Sequence, residues 1–153
     1  VRKIDKIILH CSASDNPKHD SIDVIRKWHL ERGFSDVGYH FFINKNGTIQ
    51  EGRKISAIGA HCQGHNATSI GICLHGINKF SLAQEQALFN LVDVTLDVYN
   101  LTEKNIFCHY QFNSNKTCPN FTIETFKKSF SIWQKQNTID DNSNKDRNDG
   151  TEF

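Results

Sequence analysis

The stretch Lys6-Ile7-Ile8-Leu9-His10 decides the architecture of this chain. Its apolar residues run in succession without alternating with polar ones. Both faces of the segment must therefore be covered, which predicts a strand in the middle of a sheet. Working outward, Ser21 to Arg32 predicts a helix with Ile22, Ile25 and Trp28 or His29 on one face and Gly33 as its stop. Tyr39 to Asn44 predicts a second strand, and Asn46-Gly47 a turn into Thr48-Ile49-Gln50. Ser69 to His75 predicts a third strand, closed by Gly76. Ser81-Leu82-Ala83-Gln84 has the form of a capping box at the head of the longest helix, along which Leu88, Leu91, Thr95 and Tyr99 keep helical spacing. Ile106 to His109 predicts a last short strand and Thr122 to about Trp133 a last helix. Strands and helices in alternation predict an α/β domain.

At 153 residues the chain suits one domain, burying roughly 70% of the surface exposed when unfolded. After Trp133 the composition turns to Gln, Asn, Asp and Lys with few apolar residues. The domain is therefore expected over residues 1–133, with a polar, disordered tail over 134–153. A formal charge of +1 gives no reason to expect nucleic acid or a polybasic membrane contact. No stretch approaches the roughly 20 apolar residues of a membrane span, and no signal-peptide h-region opens the sequence. The expectation is synthesis in the cytoplasm without a signal peptide. Five cysteines with no CxxC pair argue against a disulfide framework.

Three potential soft-metal ligands stand in separate parts of the chain: His10, His109 and Cys118. Two histidines and a cysteine suit an open zinc site, with one position left for water, and such a site suggests a hydrolase. Strand alternation turns Cys11 away from His10, and Cys108 away from His109. Both cysteines read as small buried apolar groups, as do Cys62 and Cys73. Cys118 differs because Asn113 to Pro119 is a polar, irregular segment in which Pro119 stiffens the backbone and Lys116 favours a thiolate. Any one of the three residues alone is more often structural than ligating, and that reading stands beside the metal one.

Of the other histidines, His29 reads as a packing residue beside Trp28. His40 follows Tyr39 and should face the other way; His19 and His65 lie in polar loops, and His75 ends a strand. His61 is set apart by its loop, Gly59-Ala60-His61-Cys62-Gln63-Gly64, which suits a binding rim.

Four ordered motifs carry a resemblance. They are Ile8-Leu9-His10-Cys11-Ser12-Ala13; Trp28-His29 with Gly33 through Phe41; Gly59-Ala60-His61 with Ser69-Ile70-Gly71-Ile72; and Lys116-Thr117-Cys118-Pro119. Over roughly residues 4 to 133 the chain resembles the type-2 N-acetylmuramoyl-L-alanine amidases. That family includes amidase-type phage lysozymes and animal peptidoglycan-recognition proteins, and the phage branch is the nearer. The resemblance implies a single α/β domain with a central mixed sheet flanked by helices and a zinc ion in a surface groove. It assigns His10, His109 and Cys118 as ligands, and Tyr39 and Lys116 as catalytic partners. His61 is expected to line the groove and contact substrate. Two departures stand out: the interval from His109 to Cys118 is about one residue longer than the commonest form, and Gln111 stands where many relatives carry a carboxylate.

The implied activity is hydrolysis of the amide between N-acetylmuramic acid and L-alanine in peptidoglycan, by a monomeric phage-type endolysin that reaches the wall through a holin-type pore or another release device. Zinc acidifies its bound water and polarises the scissile carbonyl. Tyr39 would hydrogen-bond the attacking water or the oxyanion, and Lys116 would stabilise developing negative charge. Three alternatives are a cytoplasmic amidase recycling anhydromuropeptides, a module that binds peptidoglycan without cutting it, and a regulatory protein contact. Non-catalytic relatives typically lack the cysteine ligand, so Cys118 favours the enzyme.

Overall fold

The structure, a computed structural model, describes residues 1–148, with side chains described as far as Thr138. Its elements are β1 (Lys6–Cys11), α1 (Ile22–Glu31), β2 (Phe41–Ile43), β3 (Ile49–Glu51), β4 (Ser69–Leu74), α2 (Leu82–Val98), β5 (Ile106–Cys108) and α3 (Ile123–Asn148). Five strands form one mixed sheet in the order β3-β2-β4-β1-β5, parallel except for the β2–β3 hairpin. The sheet, α1 and α2 belong to one unit, Val1–Thr122, and α3 to a second.

The unalternating run of β1 has the expected consequence. Ile7, Ile8, Leu9 and His10 are all essentially unexposed, and β1 is enclosed between β4 and β5. Register then decides which side chains share a face. Phe42 on β2 lies opposite Cys73 on β4, and Cys73 opposite His10 on β1. Neighbours in register point the same way. Phe42 and Cys73 pack with Ile22 and Ile25 of α1 and with Val37, so His10 continues a row whose near end is apolar core.

The helices begin where their capping residues place them. Ser21 accepts the Asp23 N–H at 3.2 Å to open α1, which ends before Gly33 at φ +91°. The capping box at Ser81 is complete, with both reciprocal bonds at 3.0 Å. Gln84 does more than cap. Its side chain is wholly buried, and Nε2 donates to the carbonyls of His75 (2.8 Å) and Ile43 (3.2 Å), tying α2 to the ends of β4 and β2.

Three boundaries differ from the sequence expectation. β2 starts at Phe41, so Tyr39 and His40 precede the strand. The backbone there is drawn into other bonds: the Tyr39 carbonyl accepts the Arg53 N–H and the His40 carbonyl accepts the Gly52 N–H. β5 stops at Cys108, because His109 opens a 3-10 turn to Gln111. The last helix does not stop near Trp133 but runs on to Asn148 through the polar stretch predicted to be disordered. Extending a helix that is already nucleated adds a hydrogen bond per residue, which polar composition does not prevent. Within α3, the buried Ile123, Phe126, Phe130 and Trp133 form one stripe at helical spacing, with the three rings stacked in sequence. Residues 149–153 of the expected tail lie outside the described residues.

Two histidines are structural. His29 Nδ1 accepts the Gly38 N–H at 2.8 Å, and His40 Nδ1 accepts the Gly71 N–H at 3.0 Å. Burial pushes both pKa values down to about 4, since the charged ring would lose its water and this bond. Between the unfolded value near 6.5 and about 4 the folded state binds fewer protons than the unfolded one. Stability is therefore full above about pH 6.5 and lost as pH falls toward 4. Melting of the metal-free protein followed from pH 7.5 to 4.5 should show a fall of several degrees, and His29→Gln should reduce that slope. A second test concerns Gln84. In Gln84→Leu, buried groups are left unpaired at about 1–3 kcal/mol each. Denaturant titration should show a loss of about 3 kcal/mol in total with the circular dichroism spectrum retained.

Candidate active site

Two parallel strands deliver the first two site residues. Leu9 pairs with Cys108, so His10 and His109, each one residue further on, emerge side by side at the C-terminal ends of β1 and β5. Ligands in α/β sheets gather at this edge. The two Nδ1 atoms are 3.1 Å apart. His10 is buried (1% exposed), whereas His109 is half-buried.

Cys118 arrives on a loop built from its own polar residues. The Lys116 N–H bonds the Asn113 carbonyl, the Asn120 N–H bonds the Thr117 carbonyl, and the Tyr110 N–H bonds the Cys118 carbonyl, at 2.9–3.1 Å. Asn120 pins the loop to the body of the domain through its amide on the Ile77 carbonyl (2.6 Å). Sγ of Cys118 accepts the backbone N–H of Cys11 at 3.0 Å. The sequence reading placed Cys11 in the core, and its thiol is buried. Cys11 is nevertheless part of the site: it lines the cavity, and both its main chain and its thiol meet the Cys118 sulfur. Gln111 also has a structural use, its side-chain oxygen accepting the Cys108 N–H at 2.8 Å at the start of the turn.

The three candidate ligand atoms lie within 4.8 Å of one another, and this is the metal-competent cluster among the described residues. Their protonation fits the task. Burial, then the neighbouring His61 and His109, hold His10 well below the ordinary histidine range, and burial followed by the Lys116 charge lowers His109. Neutral imidazoles offer lone pairs. Cys11 and Cys118 act as a coupled thiol pair. The hydrogen bond between them brings Cys11 down to about 7, while that bond and burial push Cys118 up. One proton leaves the pair readily and the second does not. A cation at Cys118 reverses the preference, because a coordinating thiol is deprotonated. Two nitrogens and one sulfur with no carboxylate is a donor set that suits zinc.

Tyr39 stands over the cluster, its ring 5.1 Å from His10 and 5.4 Å from His29. Burial, followed by the thiols of Cys73 and Cys118, raises its pKa well above the phenol range, so the hydroxyl keeps its proton. Lys116 is exposed on the loop and lines the same cavity as His109. That cavity has a volume of about 620 Å³. It is walled by Tyr39, His61, His109 and Cys118, with two cations, Arg32 and Lys116, and no carboxylate among the described lining residues. Arg32 and the amides of Asn113 and Asn115 were not singled out in the sequence, where they look like ordinary surface residues.

His61 lines the cavity wall but is only 8% exposed. Its loop is not a free rim. The Ala60 N–H bonds the Gly38 carbonyl, and Asn66 Oδ1 accepts the N–H groups of both His61 and Cys62. Both ring nitrogens have partners, Nδ1 with His10 Nε2 at 2.8 Å and Nε2 with Ser69 Oγ at 3.1 Å.

The comparisons with known proteins bear on the family and the fold. The family model described as N-acetylmuramoyl-L-alanine amidase (Amidase_2) matches residues 1–121. The chain is 36% identical to the endolysin of Klebsiella phage KP32, covering 90% of this chain and 91% of that one. It is 35% identical to the endolysin of Escherichia phage T7, over 88% of this chain and 89% of its length. In three dimensions it superposes on the N-acetylmuramoyl-L-alanine amidase LysC from Clostridium intestinale with a TM-score of 0.76 and 30% identity, covering 85% and 87% of the two chains. A buried histidine, a half-buried histidine and a loop cysteine meeting on this sheet, in a sequence matched over most of its length, place the chain in the N-acetylmuramoyl-L-alanine amidase family.

Proposed function

We propose that this site hydrolyses the amide between the lactyl group of N-acetylmuramic acid and L-alanine in peptidoglycan, in the manner of a phage endolysin, with one zinc ion held by His10, His109 and Cys118. The observation that carries the reading is the convergence of those three ligand atoms within 4.8 Å, with His109 and Cys118 on the wall of a groove shared with Tyr39 and Lys116 and His10 buried behind them. Identities of 36% and 35% to two phage endolysins, over nearly the full length of both chains, support the endolysin role.

Zinc bound there supplies an acidified water and Lewis-acid polarisation of the scissile carbonyl. The chain's own groups do the rest. His10 and His109 present neutral lone pairs because burial keeps them uncharged. Cys118 contributes a negative charge, steadied by the Cys11 N–H. Tyr39 keeps its proton and can donate a hydrogen bond to oxygen where charge develops. Lys116, whose charge already acts on His109, supplies a cation from the cavity wall that can stabilise negative charge developing on that oxygen. The groove, with cations and amides but no carboxylate among its described lining residues, suits a peptide stem that carries carboxylates.

Two variants test the assignment. Cys118→Ser replaces a charged sulfur ligand by a neutral hydroxyl at similar size. Metal analysis should find stoichiometric zinc in the wild type and little in the variant. Release of peptide from purified wall should vanish, while pull-down by insoluble wall persists. A Ser variant with both zinc and wild-type cleavage would remove Cys118 from the ligand set. Tyr39→Phe removes one hydroxyl at the groove wall. It should keep its zinc and lose roughly 10²-fold in kcat; unchanged turnover would make Tyr39 a packing residue.

A further inference from the structure

We propose that His61 and Ser69 form a positioning pair that sets the tautomer of His10, so that Nδ1 of His10 is the atom offered to the metal. This rests on the zinc reading above and goes beyond it, because it gives the buried His61 a role distinct from substrate contact.

The argument is proton accounting along one line of hydrogen bonds. Ser69 Oγ lies 3.1 Å from His61 Nε2, His61 Nδ1 lies 2.8 Å from His10 Nε2, and His10 Nδ1 lies 3.1 Å from His109 Nδ1. A neutral imidazole carries one N–H. For His10 to present a lone pair at Nδ1, its proton must sit on Nε2, where it donates to His61. His61 must then accept at Nδ1, so its own proton sits on Nε2 and donates to Ser69 Oγ. The opposite direction of the chain starts with the Ser69 hydroxyl donating to His61 Nε2 and ends with a proton on His10 Nδ1, facing His109, where it blocks a ligand position. The line has only these two polarities, and metal binding requires the first. A ligating histidine is oriented in this way by whatever accepts its second N–H.

The fold makes space for this ring at some cost. Gly71 sits in the middle of β4, where glycine weakens a strand. A Cβ on Gly71 would lie 2.6 Å from His61 Cγ and Cδ2, and one on Gly59 would lie 2.8 Å from His61 Cδ2. The ring therefore lies on a floor that two glycines leave open. Ser69, wholly buried at the start of the same strand, aims its hydroxyl at the far nitrogen. From below, the Asn66 side chain holds the backbone of the His61 loop.

The test separates acceptor chemistry from ring packing. His61→Phe keeps a ring of similar size and removes the acceptor. His61→Asn shortens the side chain but keeps an oxygen attached to Cγ, where Nδ1 was attached. Zinc affinity measured by chelator competition should fall about 10–100-fold in His61→Phe and recover most of that loss in His61→Asn. Melting of the metal-free proteins should not follow that order. Long-range ¹H–¹⁵N NMR of the zinc-loaded wild type should find the proton on Nε2 of both His10 and His61. Equal zinc affinity in wild type and His61→Phe, or a proton on Nδ1 of His61 in the loaded protein, overturns the pair while leaving the three ligands intact. A wild type that takes up no zinc overturns the ligand assignment itself, and the pair with it.

Discussion

The register of β1 against its two parallel neighbours governs the rest of the molecule. Pairing Leu9 with Cys108 sets His10 beside His109 at one edge of the sheet, and pairing His10 with Cys73 sets the same side chain on the face that α1 covers. A slip of one residue would reverse which face every β1 side chain occupies. His10 would then point away from α1 and from Tyr39, and no adjustment of the Cys118 loop could restore the cluster. Because Ile7, Ile8 and Leu9 are apolar on both faces, the cost of such a slip falls on His10, which would lose its hydrogen bonds to His61 and His109.

Burial also decides the chemistry of the site. Histidines usually titrate near neutrality, yet His10, His29, His40 and His61 are all held well below that range by loss of water around the ring. Some of that neutrality is structural, since His29 and His40 accept backbone N–H groups and could not do so protonated. At His10 and His109 it keeps lone pairs available for a cation. Cys118 has a different protection: its sulfur accepts a backbone N–H and sits against a second thiol, so the proton it must lose is shared within a pair. Metal binding at such a site is coupled to proton release.

Close approach of backbone to ring is the third recurring device. Gly71 lies beneath His61, and its N–H is held by His40, so one glycine on β4 serves two histidines at once. The loop carrying His61 is fastened by Asn66 and by the Gly38 carbonyl. A loop that reads in the sequence as a binding rim is thereby made rigid enough to hold an aromatic ring beside a candidate ligand.

The sequence by itself determined the class of fold, the central place of β1, the start of both capped helices and the identity of His10, His109 and Cys118 as the residues to watch. These follow from local rules: unbroken apolar runs, capping residues, and soft donors at the ends of apolar segments. It could not say that Tyr39 lies outside β2, because the bonds that draw the backbone away come from Arg53 and Gly52. Nor could it foresee that α3 runs on to Asn148, because composition reports the apolar surface available for docking and not the continuity of a helix already begun. His61 marks the limit most clearly. Its loop advertised a binding rim, and only the tertiary structure, by bringing Ser69, His10 and the open floor at Gly71 around one ring, decided that both of its nitrogens face inward. Hydrogen bonds between residues 8 and 51 positions apart depend on strand order and register, and a single sequence encodes these only through the packing of the whole sheet.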